Sequence, residues 1–201
     1  MHNYRHTLIA REGWLFIFLA LSATALAEHF SGILTALPFA ILAIALLFLF
    51  RDPPRKIPSA PLGLVSPVDG TLVEITQVHD KYLDRQAICL RLKMNWYGIY
   101  STRSPTEGKV IKHWFGDDGK AAQWIQTDEG DDVVVSLVKG RGSRHPACMV
   151  PTGERIGQGR RCGFVRFGAL VELLVPVNTR IEKQAGDKVL AGTDIVATLV
   201  H

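Results

Sequence analysis

The stretch RFGALVELLVP, residues 166–176, places a glycine ahead of a run of apolar residues that ends at a proline. No polar residue directly follows the glycine, and an apolar run bounded by turn residues is typical of a buried β-strand. Ala169 stands directly after Gly168, and this pair bears on the chemistry as well as on the fold. The stretch therefore predicts a buried strand that begins beside a Gly–Ala bond.

Short runs of the same kind fill the chain from residue 63 onward, separated by Gly, Asp and Pro turns, and no long amphipathic helix interrupts them. This spacing predicts a mainly β domain over residues 64–201. Around Gly186 and Gly192 the pattern resembles the hairpin corner of barrel-sandwich folds such as lipoyl domains, although no lipoyl-type lysine stands at a hairpin tip. We therefore expect a barrel-sandwich-like β domain without a carrier site. The other runs are GTLVEITQV, QAICLRLKM, GKVIKHWF, DDVVVSLVKG and DIVATLV.

Two apolar runs lie near the N-terminus, WLFIFLALSATALA (14–27) and ILTALPFAILAIALLFLF (33–50). At about 1.5 Å per residue the second run measures about 27 Å, close to the thickness of a hydrocarbon core. We predict a membrane hairpin over residues 1–50, with transmembrane helices at about 13–30 and 33–50. The Pro-rich residues 51–63 are then a stiff linker to the β domain.

Positive charges flank the apolar runs and are absent between them. Arg5 and Arg11 precede the first run, whereas Arg51, Arg55 and Lys56 follow the second. Because Lys and Arg in short loops favour the cytoplasmic side, we expect an inner-membrane protein with both termini and the β domain facing the cytoplasm. The alternative is a soluble protein in which the two helices are buried.

The charge and cysteine content of the chain indicate which binding partners and which bonds to expect. The chain carries 23 Lys and Arg against 19 Asp and Glu, a net charge of +4 that suits an anionic membrane surface, and it has no basic–aromatic motif of a nucleic-acid-binding module. Cys89, Cys148 and Cys162 are widely spaced and form no C-x-x-C pair. This pattern predicts reduced, packed thiols rather than a disulfide framework, and neither the cysteines nor the histidines have metal-ligand spacing.

Four motifs, in order, resemble those of the short bacterial and archaeal form of the phosphatidylserine decarboxylase family. FRDPPRKIP (50–58) resembles the juxtamembrane F-R-D-P-x-R, and SPVDG (66–70) resembles S-P-x-D-G. RSPTEGKV (103–110) resembles R-x-P-x-x-G-x-V, and GFVRFGALVELLVP (163–176) resembles the cleavage region G-x-x-R-F-G-S-x-V-x-x-x-x-P. The resemblance runs from about residue 45 to the C-terminus.

The resemblance implies a reaction and a self-made cofactor. Members of this family decarboxylate phosphatidylserine to phosphatidylethanolamine and CO2. The serine of the last motif attacks the preceding carbonyl, the resulting ester eliminates, and the former serine becomes an N-terminal pyruvoyl group. Its ketone forms a Schiff base with the substrate amine and serves as an electron sink. An Asp–His pair activates the serine by the logic of a hydrolase triad.

Carried over residue by residue, the resemblance leaves this site incomplete. Asp69 matches the family aspartate, although a D-G pair is also a common turn. Tyr100 occupies the histidine position, and a tyrosine with an ordinary pKa of about 10 is a poor general base at neutral pH. Ala169 occupies the serine position after Gly168 and has no hydroxyl. We therefore expect a non-catalytic member of the family with no cofactor of its own.

Two other functions remain open. The chain is an active decarboxylase if it is processed elsewhere, for example at the Gly142–Ser143 bond two residues ahead of His145. Alternatively, it is a membrane-tethered interaction module without lipid recognition. The residues around the Gly142–Ser143 bond are basic and Gly-rich, and such residues usually just turn the chain.

Anionic membrane phospholipid is the expected partner. Arg51, Arg55 and Lys56 follow the apolar runs at the level of acidic headgroups, and Arg166 precedes the lost cleavage position, where it would meet a phosphate or carboxylate. The alternative for these residues is membrane-flanking charge or a solvated loop. We also expect a homo-oligomer or an association with an active homologue.

Overall fold

The computed structural model describes residues 9–95, 99–116, 120–139, 148, 150–165 and 169–200. The chain divides into two compact units, Met1–Pro54 and Arg55–His201. Thirteen strands occur in the described part of the second unit, so the prediction of a mainly β fold is confirmed. The barrel-sandwich form of that domain stays a prediction.

The first unit is a pair of helices, α1 (Trp14–Ser31) and α2 (Ile33–Leu49), preceded by a 3-10 turn at Arg11–Gly13. The two helices pack against each other and are joined by Gly32 alone. The φ of Gly32 is 85°, a backbone angle that residues with a side chain rarely adopt. The backbone N–H of Ala10 donates to the carbonyl of Phe50, 2.7 Å away, and links the segment before α1 to the end of α2.

Most large apolar side chains of this helix pair are exposed, including Phe18, Phe30 and Leu34, whereas small Ala20 and Ala36 are buried. By length and composition α1 could cross a membrane, since its 18 residues have a mean hydropathy of 1.4. The apolar helix α2 is shorter, with 17 residues. The transmembrane hairpin therefore stays a prediction that exposed apolar surface supports.

The second unit is built around one eight-stranded antiparallel sheet in the order β12-β2-β3-β10-β7-β6-β5-β8. A three-stranded sheet, β1-β13-β11, and a two-stranded sheet, β4-β9, complete the described strands. The strand bounds are β1 Gly63–Val65, β2 Gly70–Asp80, β3 Arg85–Met94, β4 Ser101–Arg103, β5 Gly108–Phe115, β6 Ala121–Gln126, β7 Asp132–Lys139, β8 Arg155–Ile156, β9 Arg161–Phe164, β10 Leu170–Pro176, β11 Arg180–Ile181, β12 Lys188–Val189 and β13 Ile195–Thr198.

Strand β10 lies between β3 and β7 near the middle of the large sheet. Val171, Leu173 and Val175 are fully buried on one face, and Leu174 is buried on the other. A strand covered on both faces needs an almost continuous apolar run, which accounts for the sequence LVELLVP. Glu172 interrupts the run and pairs with Arg91 on β3, with 2.8 Å between Nη2 and Oε1.

The cysteines correct one expectation. Cys148 and Cys162 are joined by a disulfide, with their Cα atoms 4.7 Å apart, so the prediction of three reduced thiols is wrong for this pair. The chain turns back between the two positions, through β8 and into β9, and brings together residues that no local spacing motif connects. Cys89 is a buried free thiol, as predicted.

Gly70 marks a close approach of two backbones. A Cβ at this position would lie 2.2 Å from the carbonyl oxygen of Lys93 on the adjacent strand, which is backbone and cannot swing aside. At Gly157 a Cβ would meet its nearest atom, on the flexible side chain of Arg160, at an ordinary 3.4 Å. These two glycines therefore provide a matched comparison.

We expect Gly70→Ala to lower the free energy of unfolding by about 1–3 kcal/mol, because β2 and β3 must separate locally to admit the methyl group. Gly157→Ala should change it by no more than about 1 kcal/mol, since no strand has to move there. Urea unfolding of the full chain in detergent, followed by tryptophan fluorescence, measures both. Equal midpoints for the two variants would contradict the close approach.

Candidate functional site

Three neighbouring strands bring two of the predicted site residues, Asp69 and Ala169, to one edge of the large sheet. Strand β2 begins just after Asp69, β3 ends at Met94, and β10 begins just after Ala169. Gly70 pairs with Met94, whose backbone N–H donates to the carbonyl of Ala169 at 2.9 Å. The backbones at Asp69 and Ala169, one hundred positions apart in sequence, are thus separated in the sheet by the end of β3.

The Asp69 carboxylate is buried and has a partner on each oxygen. Oδ2 accepts a hydrogen bond from Nη2 of Arg55 at 2.6 Å, and Oδ1 accepts one from the backbone N–H of Ala191, also at 2.6 Å. Burial raises the pKa of Asp69 above its ordinary value, while the Ala191 hydrogen bond and the positive charges of Arg55 and Arg103 oppose this rise. The contacts hold the side chain in one place.

The loop SPVDG that carries Asp69 is braced from the C-terminal part of the chain. The Ser66 hydroxyl donates to the carbonyl of Val68 at 2.7 Å. The backbone N–H of Ser66 donates to the carbonyl of Asp194, and its carbonyl accepts from Gly192. The turn that Asp69-Gly70 suggested in the sequence is therefore held in place by tertiary contacts.

Tyr100 lies just ahead of β4 and is 2% exposed. Its carbonyl accepts a hydrogen bond from the N–H of Val165 at 2.8 Å, and its ring packs against Phe164 with 6.0 Å between centroids. Burial raises the pKa of the Tyr100 phenol, so the side chain keeps its proton at neutral pH. It is suited to packing and hydrogen bonding rather than to accepting a proton as a base.

Ala169 is fully buried at the start of β10, and its methyl group offers no hydrogen-bonding atom. Two other predicted site residues, Gly168 and Arg166, lie outside the described residues, as do Ser143 and His145 of the alternative processing site. The structure thus places Asp69 and Ala169 at one sheet edge, and ties Tyr100 through Val165 to the segment that leads there.

The predicted lipid-binding cations differ in their surroundings. Arg51 and Lys56 are exposed. The side chain of Arg55 is only 14% exposed and is engaged by Asp69, so it has a structural partner as well as the predicted lipid contact. Among the residues that the structure describes, no cluster of three or more His, Cys, Asp or Glu side chains could hold a metal ion.

Arg103 belongs to the site but was not singled out from the sequence. It is 2% exposed, its charge acts on Asp69, and Nη1 donates to the carbonyl of Gly159 at 3.0 Å. A Cβ on Gly192 would lie 2.6 Å from Cδ of Arg103, so this side chain is enclosed by two glycine turns. Arg103 is the first residue of the motif RSPTEGKV, but nothing in the neighbouring sequence indicated that its side chain would be buried.

We expect Arg55→Met to lower the free energy of unfolding at pH 7 by about 3–5 kcal/mol, because it leaves a buried carboxylate without its direct cation. Removing that cation raises the folded-state pKa of Asp69 further. A carboxyl group whose folded pKa lies above the unfolded value stabilises the fold below the unfolded pKa, and this contribution is lost as the pH rises through the folded pKa. The variant should therefore lose stability more steeply than the parent between about pH 4 and pH 7.

The neighbouring variant Lys56→Met is the control, since it removes an exposed cation and should cost under about 0.5 kcal/mol. Adding Asp69→Asn to Arg55→Met should flatten the pH dependence. Urea midpoints measured across this pH range test the ion pair, and an Arg55→Met chain that unfolds like Lys56→Met would rule it out.

Comparison with known proteins places this chain in a family. The sequence profile described as phosphatidylserine decarboxylase matches residues 42–197, which is most of the chain. A similar solved structure is glucose permease IIA from Mycoplasma capricolum, with a TM-score of 0.44 and 17% identity, covering 68% of this chain and 94% of its own. That likeness is too weak to carry a conclusion.

Curated relatives match nearly the whole chain, and each is named phosphatidylserine decarboxylase proenzyme. The protein of Nitrosomonas europaea is 36% identical, with 96% of both chains covered. That of Aromatoleum aromaticum is 37% identical, covering 98% of this chain and 99% of its own. That of Burkholderia pseudomallei is 36% identical, with 98% of both covered. The resemblance predicted from four motifs is confirmed, and the chain belongs to the phosphatidylserine decarboxylase family.

Proposed function

We propose that this chain is a membrane-anchored member of its family that binds anionic phospholipid without decarboxylating it. The curated relatives are named as proenzymes, and in this family processing creates the pyruvoyl group. The proposal depends on whether this chain has the atoms that such processing needs. The observation that carries it is the buried methyl group of Ala169 at the start of β10.

The residues at this position do not fit a pyruvoyl group. Processing needs a hydroxyl that attacks the carbonyl of residue 168, and the alanine side chain has no oxygen to form the ester that would eliminate. Ala169 is followed by Leu170 and Val171, which supply no substitute nucleophile. Without that ester, cleavage at this bond has no route to a ketone.

The surrounding groups support the same conclusion. Tyr100, at the family histidine position, has a pKa raised by burial and is a poor base at neutral pH. The Asp69 carboxylate is held by Arg55 and Ala191. These groups stabilise the loop and strand ends, so the architecture of the site persists with a structural rather than a chemical role.

Membrane anchoring and lipid contact are supported by the N-terminal part. The long apolar helix α1 and the exposed apolar side chains of α2 suit a bilayer. Arg51 and Lys56 follow these helices and are exposed, and each cation near an acidic surface contributes about 1 kcal/mol of attraction. Arg166 belongs to the same proposal, as does an inner-membrane location with the β domain on the cytoplasmic side. Association with an active homologue would then bring the bound lipid to a catalytic site; a homo-oligomer is the alternative assembly.

We expect the purified full chain to run as one species of 22.2 kDa and to release no CO2 from phosphatidylserine. Intact-mass spectrometry of protein extracted from membranes checks the first point, and a labelled-carboxylate assay checks the second. Two fragments with a pyruvoyl-blocked smaller chain would contradict the proposal. If Ser143→Ala then abolished the cut, the alternative processing site would be established.

We expect the double variant Arg51→Ala/Lys56→Ala to bind anionic phospholipid roughly 30-fold more weakly, because two attractions of about 1 kcal/mol each are lost. The measurement is the rise in melting temperature of the detergent-solubilised full chain as short-chain phosphatidylserine or phosphatidylglycerol is titrated, with phosphatidylcholine as the neutral lipid. The matched control is Lys109→Ala/Lys188→Ala, which removes the same charge from exposed positions on strands. Equal weakening in both double variants, or equal binding of phosphatidylcholine, would favour an interaction module without lipid recognition.

A further inference from the structure

The Cys148–Cys162 disulfide lies at a junction between two sheets. Cys162 belongs to β9 of the two-stranded sheet, and the pair packs in a small core cluster with Val110 of β5 and Ile156 of β8. Both β5 and β8 belong to the large sheet. The bond therefore links β9 to a residue that packs against β5 and β8 at the edge of the eight-stranded sheet.

Strand β9 is the element that leads to the Ala169 position. It pairs with β4 through Ser101–Phe164 and Thr102–Gly163, and the next residue, Val165, donates its N–H to Tyr100. The disulfide joins residues 14 positions apart, which restricts the unfolded chain and so stabilises the folded state. The disulfide is therefore attached to β9, the strand next to the Val165–Tyr100 hydrogen bond.

The two cysteine residues differ in exposure. Cys148 is 2% exposed, whereas Cys162 is half-buried, which favours Cys162 as the residue that a thiolate from solution attacks first. The third cysteine, Cys89, is buried in a different cluster, and burial together with the charge of Glu172 raises its pKa to about 12. Because the thiolate is the reacting form, Cys89 takes no part in exchange at neutral pH.

We propose that Cys148 and Cys162 form a reversible thiol–disulfide exchange site that reacts with small-molecule or protein thiols and controls how firmly β9 is held. In the forward direction, two thiols of the chain and one external disulfide give the internal disulfide and two external thiols. In the reverse direction, an external thiolate attacks Cys162, Cys148 leaves as the thiolate, and a second external thiol releases the mixed disulfide. The inference does not depend on lipid binding or on whether the chain decarboxylates, but its expected behaviour in the cell rests on the cytoplasmic location proposed above.

This site matters because of where the domain is expected to lie. The charge pattern around the apolar helices favours the cytoplasm, where glutathione and thioredoxin keep most thiols reduced. A cysteine pair placed between two sheets in that compartment would open under ordinary conditions and close under oxidative stress. The closed form corresponds to the structure described here.

The test equilibrates the full chain in detergent with reduced or oxidised glutathione, followed by alkylation under denaturing conditions and intact-mass measurement. Three cysteines with one disulfide predict one added alkyl group in the oxidised state and three in the reduced state. Reduction should lower the melting temperature by roughly 5–10 °C and speed trypsin cleavage within the segment between the two cysteines.

Variants distinguish the pair from any other thiol. Cys89→Ala should keep the full redox-dependent shift, whereas Cys162→Ser should lose it. If Cys162→Ser does not fold, the comparison of the two redox states in the unaltered chain still decides. The proposal is overturned if the pair stays as thiols in oxidised glutathione, if reduced glutathione fails to open it, or if melting and proteolysis are the same in both states.

Discussion

The buried carboxylate of Asp69 joins three separate segments of the β domain, one of them 122 residues away in sequence. Arg55 comes from the segment before β1, Ala191 from the turn after β12, and Asp69 itself from the start of β2. Because a buried charge is costly unless its partners are well placed, this single group requires all three segments to be present together. The start of β2 is consequently held in place beside the end of β3, where Met94 pairs with Gly70 and donates its N–H to Ala169.

The constraint at Asp69 concerns the packing of the domain and not the chemistry at residue 169. The strand ends and the buried ion pair depend on backbone pairing and on Asp69, and none of them requires a hydroxyl at residue 169. An alanine at residue 169 fits the sheet without disturbing it, because Ala169 contributes a carbonyl to Met94 and a methyl group to the core. The whole sequence shows membership in the family. Catalytic competence depends on a few atoms and is a separate question.

The sequence predicted the features that depend on local patterns. The apolar run of β10 and the β-branched runs indicated a mainly β domain, and four motifs identified the family. The disulfide could not be predicted, since Cys148 and Cys162 become neighbours only when β8 and β9 turn against β5. The prediction for Arg55 was also incomplete. A basic residue after an apolar segment suggests a contact with lipid headgroups, and only the folded chain reveals the Asp69 carboxylate beside it. Arg103 was overlooked for the same reason.

The hydrogen bond between Asp69 and Ala191 spans 122 residues and has a consequence for the order of events during synthesis. At about 5–20 residues per second, a ribosome needs roughly 6–24 s to make the intervening chain. During that interval Asp69 has no access to the amide that will hold it, and β1 and β2 wait for β13 and β12, which follow β3 to β11 in the chain. The nascent domain therefore lacks these pairings, and its partly paired strands stay open to aggregation, until β12 and β13 have left the ribosome.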